Sequence, residues 1–74
     1  MATTQNDLKA IDRFRVNVQQ ILDRRGMERK QLATLLGMSP QQLSNMLNGV
    51  YDPKVNDCER VATALGVSLA RIFR

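Results

Sequence analysis

Two helix signals of opposite sense stand almost back to back in the middle of this chain. Gly37 closes one apolar-periodic segment and Ser39-Pro40 opens the next, with only Met38 between them. Glycine takes the left-handed backbone that ends a helix without a Cβ clash. Serine at a cap followed by proline at the first helical position favours a start. The segment 28–36, with Leu32, Ala33, Leu35 and Leu36 apolar, is therefore read as one short helix. The segment 39–48, which keeps Leu43, Met46 and Leu47 on one side and stops at Asn48-Gly49, is read as a second. A three-residue connection forces the two to cross sharply. Ala33 is small enough for close approach, and Leu32, Leu36, Met38, Leu43 and Met46 are placed to fill the wedge between them.

The flanking segments read as helices too. Leu8, Ile11, Phe14, Val18, Ile21 and Leu22 recur in steps of three and four, which predicts a helix over about 7–25. Asp7 stands near its start, Arg24 and Arg25 near its end, and Gly26 beyond it, in agreement with the helix dipole and a glycine stop. After an Asp52-Pro53 turn, a fourth helix carries Val55, Cys58, Val61, Ala62 and Leu65 inward and ends at Gly66. Its start lies between Lys54 and Asn56, where Asn56 with Glu59 would form a capping box. Ser68 caps a last short helix over 69–73. Nothing alternates with period two, so the expected fold is all-α. Residues 1–6 (MATTQN) hold nothing to bury and are expected to form a disordered tail, with 7–74 as the single domain.

Composition narrows the function. A chain of 74 residues buries only about 60% of the surface its unfolded form exposes, so its apolar side chains go to one core and little room remains for a substrate cavity. Cys58 is the sole cysteine and histidine is absent, which removes an intramolecular disulfide, the usual Cys/His zinc sites and His-based catalytic triads or dyads. No cofactor, metal or small-molecule ligand is expected, nor an enzyme. Eleven Lys and Arg against seven Asp and Glu give a formal charge of +4, which suits a polyanion. The start of the chain lacks the basic and apolar regions of a signal peptide, and no apolar run approaches bilayer length, so a cytoplasmic location is expected.

The segment from Arg29 to Gly49 (RKQLATLLGMSPQQLSNMLNG) resembles the helix-turn-helix of the lambda-repressor-like, or xenobiotic-response-element, family of phage repressors, Cro proteins and bacterial regulators. The resemblance rests on Leu32-Ala33, Gly37 and Ser39 in the motif. It extends to Arg25-Gly26, Asn48-Gly49, Pro53, and the Val61-Ala62…Ala64-Leu65-Gly66-Val67-Ser68 run, covering about residues 14–73. It implies a compact bundle of about five helices, a prokaryotic or phage-encoded regulator, and a 39–48 helix lying in the major groove of double-stranded DNA. Ala33, Gly37, Ser39 and Leu43 are then the structural residues of the motif. Glu28 departs from the family's usual Ser or Thr, which weakens the cap of its helix and would repel a nearby phosphate.

On that reading helix, Gln41, Asn45 and Asn48 fall at i, i+4 and i+7, opposite the buried side. Amides donate and accept together, as adenine's major-groove edge requires. Gln41 and Asn45 are the expected base readers, with Gln42 and Ser44 beside them; the plain alternative is a solvated amide face. Arg29 is expected at a phosphate, Asn48 at backbone or base, and Tyr51 and Lys54 at the passing strand, although a lysine in a loop is equally a solvated one. Arg24 and Arg25 read as stabilisers of a helix end and Cys58 as a core residue.

One such motif reads only a few base pairs. A homodimer on a palindromic or repeated operator is therefore expected, with half-sites about 34 Å apart. Its proposed surface is the last helix, on the ground that Ile72 and Phe73 cannot easily both face inward. The alternative function is a protein-interaction module of the same fold, such as an antitoxin, or the N-terminal domain of a larger regulator.

Overall fold

The computed structural model describes the backbone of residues 2–74 and the side chains from Ala10 onward. No glycine or proline interrupts the chain before Gly26, and α1 accordingly runs Ala2–Arg25. It starts earlier than the expected position 7, so Asp7 lies inside the helix and the first turn holds no acid. The side chains of the tail expected over 1–6, and that of Leu8, lie outside the described residues. Gly26 (φ 63°) ends α1, with the Met27 N–H donating to Leu22 O at 2.9 Å.

Next come α2 (Arg29–Leu36) and α3 (Pro40–Leu47), separated by Gly37, Met38 and Ser39. Gly37 takes the left-handed conformation (φ 70°, ψ 30°), and the Met38 N–H returns to Ala33 O at 3.0 Å. Ser39 Oγ accepts from the Gln42 N–H at 3.1 Å and caps α3. The stop and start signals of the sequence thus form one continuous turn. At the start of α2, Gln31 Oε1 accepts from the Glu28 N–H at 2.7 Å, so the Gln31 side chain closes a capping box there.

α4 (Val55–Leu65) and α5 (Leu69–Ile72) complete the fold. The start of α4 falls between the two positions considered. Its cap comes from Asp57, whose carboxylate accepts from the Lys54 N–H at 3.0 Å, and not from an Asn56–Glu59 box. Val55 is a correction: it was expected inward and is 73% exposed. It precedes the stripe Cys58, Val61, Ala62 and Leu65, which by itself has the i, i+3, i+4, i+7 spacing of a buried face.

The core draws on every helix. Phe14, Val18, Ile21 and Leu22 come from α1, Leu32, Ala33 and Leu36 from α2, and Leu43, Met46 and Leu47 from α3. The α4 stripe and Ile72 of α5 close it. Met38 and Phe73 pack at its edge, and no polar side chain is buried among the described residues. Full burial of a side chain such as Leu32, Leu43 or Met46 contributes roughly 1.5–3 kcal/mol.

The last helix requires a second correction. Ile72 is fully buried, and Phe73, at the end of α5, stacks on Phe14 with ring centroids 5.7 Å apart. Both residues therefore turn toward the body of the domain, contrary to the reason given for making them a dimer surface. Side chains of α1 hold them there: Asn17 Nδ2 donates to Ile72 O at 2.6 Å and Arg13 Nε to Phe73 O at 3.1 Å. Among the described residues no helix is long and apolar enough to cross a membrane.

Candidate nucleic-acid interface

Because Leu43, Met46 and Leu47 are committed to the core, α3 turns its remaining side chains outward. Gln41 and Gln42 are exposed, and Ser44 and Asn45 half-exposed. Gln41 Nε2 donates to Asn45 Oδ1 at 2.9 Å, one helical turn along. That bond leaves Gln41 Oε1 as an acceptor and Asn45 Nδ2 as a donor, side by side on the surface. No residue of α3 is charged, so the face is polar and electrically neutral.

At the edge of this face, Arg29 on the first turn of α2 meets Asn48 at the end of α3, Nη1 donating to Asn48 Oδ1 at 3.0 Å. Arg29 Nε donates to Gln19 Oε1 at 2.8 Å, and Gln19 Nε2 in turn to Asp23 Oδ1 at 2.9 Å. The guanidinium is thereby aimed from two sides while three of its five N–H donors stay free. Asn48 keeps its Nδ2 donor. An arginine and an amide, both outward at the start of one helix and the end of the next, form a donor-rich ledge beside the neutral face.

The loop after α3 is braced from behind. Arg15 Nε donates to Met46 O, and Nη2 to Tyr51 O and to Asp52 Oδ1, all at 3.0 Å. Tyr51 Oη donates to Gln42 O at 3.2 Å. The hydroxyl proton of Tyr51 is thereby engaged by the backbone of α3, so in the DNA-free chain the residue braces the loop. Lys54 is exposed, and its ammonium pairs with no carboxylate among the described residues.

Gln41, Asn45, Arg29 and Asn48 share one surface, and the side chains that hold them there carry no signal in the sequence. Gln19 and Arg15 occupy one face of α1, yet their acceptors lie far off in sequence, Met46 being 31 residues from Arg15. No local pattern announces such a pair. Arg25, expected only to stabilise its own helix end, donates through Nη1 to Leu65 O at 2.7 Å and so ties α1 to α4. Arg60 similarly donates to Leu36 O and holds α4 against the end of α2. The Cys58 thiol is pushed up from its ordinary range, first by burial and then by the neighbouring charge of Asp57. Among the described residues no group of three or more Cys, Asp or Glu side chains is arranged to hold a metal ion.

Two short helices locked at a glycine–serine turn, with the second presenting an amide face, define a helix-turn-helix protein. The family model described as helix-turn-helix matches residues 18–72, and the chain belongs to that family, in its Cro/CI-type, xenobiotic-response-element branch. It is a family of DNA-binding regulators and not of enzymes. Comparison with curated proteins and with solved structures gave no match.

Proposed function

We propose that the protein is a sequence-specific transcriptional repressor that lays α3 in the major groove of its operator. The observation that carries this reading is the Gln41–Asn45 pair, which offers an acceptor and a donor together on an otherwise neutral face. Adenine presents the complementary couple, the N6 donor beside the N7 acceptor. Gln42 and Ser44 flank the contact. Arg29, Asn48 and Lys54 grip phosphates on either side, with Arg29 helped by the positive end of the α2 dipole. Two copies bind together on a palindromic or repeated site, since one reading helix spans too few base pairs for a unique address.

The test is selection of bound sequences from random duplex DNA, followed by titration of the winner against salt. An A·T-containing consensus in two half-sites is expected, with log K falling by about 0.9 per phosphate neutralised for each unit of log salt. Recovery of unenriched DNA, or an affinity indifferent to salt, overturns the reading.

A further inference from the structure

Of the eight arginines in the chain, five donate to a protein acceptor. The other three, Arg24, Arg71 and Arg74, pair with no carboxylate among the described residues, and all three line one cleft between α1 and α5. Asn17, Gln20 and Ser68 complete its polar wall, no side-chain carboxylate lines it, and its volume is about 460 Å³. Sites for small ligands span roughly 300–1,000 Å³.

The cleft is not part of the reading surface. At about 100° per residue around a helix, Asn17, Gln20 and Arg24 face away from Arg15 and Gln19, which support α3 and α2. Three guanidinium groups around one concavity repel one another, and among the described residues no side-chain carboxylate lines the cleft to offset them; the Arg74 main-chain oxygen there accepts from Asn17 Nδ2 at 3.2 Å. An anion with several oxygens removes the repulsion, because each guanidinium can make two parallel hydrogen bonds to a phosphate. The rim is also well anchored. Asn17 Nδ2 holds the end of α5 through Ile72 O, and Ser68 Oγ accepts from the Arg71 N–H at 3.1 Å, so the backbone bearing Arg71 is placed before any ligand arrives.

We infer that the cleft between α1 and α5 binds a small anion carrying two or more phosphate groups, held by Arg24, Arg71 and Arg74. Such a ligand would act on the domain from the side away from DNA, at the helix that closes the core through Ile72.

The experiment is calorimetric titration of the whole chain with pyrophosphate at constant ionic strength. A single site per chain is expected. Arg24→Gln and Arg71→Gln should each weaken binding tenfold or more, while Lys30→Gln, the same loss of charge at an exposed position elsewhere, leaves it unchanged. Circular dichroism establishes that the variants fold; both side chains are exposed and donate to no acceptor among the described residues. Duplex DNA affinity of the two arginine variants should stay within twofold of the parent. Failure of pyrophosphate to bind at millimolar concentration, or equal losses from Lys30→Gln and Arg71→Gln, overturns the inference. So does a tenfold loss of duplex binding in the arginine variants, which would give the cleft to the DNA strand. None of these outcomes depends on which operator α3 reads.

Discussion

Arg29 Nη1 lies 3.0 Å from Asn48 Oδ1, so the first residue of α2 is tied to the cap residue of α3 across the outer edge of the motif. The bond sets two donors at a fixed separation on the side of the amide face. It also makes neither residue independent of the other: removing Arg29 releases Asn48, and removing Asn48 leaves Arg29 aimed by Gln19 alone.

Arg29→Ala should therefore weaken binding to all duplex sequences alike and reduce the salt slope by about one unit. Asn48→Ala should do the same less severely, since the guanidinium retains Gln19. Binding isotherms on the selected operator and on a scrambled duplex, each at several salt concentrations, check both. A loss confined to the operator would place Arg29 among the base readers.

Gln41→Ala and Asn45→Ala should instead relax specificity, each costing about 1–3 kcal/mol on the preferred site and little on non-specific DNA. Because the two amides are bonded to each other, the double variant should lose less than the sum of the singles, by about 0.5 kcal/mol or more. A double-mutant cycle on operator affinity measures that difference; strict additivity would show that the pair does not read the base together.

Arg15→Ala removes the donors to Met46 O, Tyr51 O and Asp52. The side chain is only 15% exposed, and an orphaned, partly buried carbonyl costs about 1–3 kcal/mol. Urea denaturation should show a loss of that size, and amide exchange should quicken at Val50 and beyond. An unchanged midpoint would mean that Arg15 is a surface charge and no brace.

Gly37→Ala tests the turn. No atom lies within 4 Å of where the new Cβ would stand, so sterics with neighbours contribute nothing and the cost is that of a left-handed backbone alone, about 1–2 kcal/mol. Denaturation of the variant at neutral pH gives the value. A loss well above this range would reveal displacement of α3.

Cys58 links stability to alkaline pH. Its folded-state pKa is raised, so the fold favours the neutral thiol. The associated stability is whole below the pKa of the unfolded thiol and declines as pH rises through the folded one. Stability of the parent should therefore fall through the alkaline range more than that of Cys58→Ala, and native-state alkylation by iodoacetamide should be slow until the chain unfolds. Rapid labelling at neutral pH would contradict the burial argument.

What was legible in advance was local. The Gly37–Ser39 punctuation, the apolar stripes of α1 to α4 and the outward placing of Gln41 all follow from periodicity and capping within one or two turns of helix. Those rules act over three or four residues, so a linear reading recovers them. The tertiary structure decided what depends on partners distant in sequence. Tyr51 became a brace because Gln42 O came within reach, and Arg29 was aimed because Gln19 of α1 met it. Phe73 turned inward onto the ring of Phe14, and Val55 stayed out because it lies ahead of the Cys58, Val61, Ala62 and Leu65 stripe that faces the core. A side chain's own chemistry states what it can bond; only the packing of α1 against the rest determines which acceptor it finds.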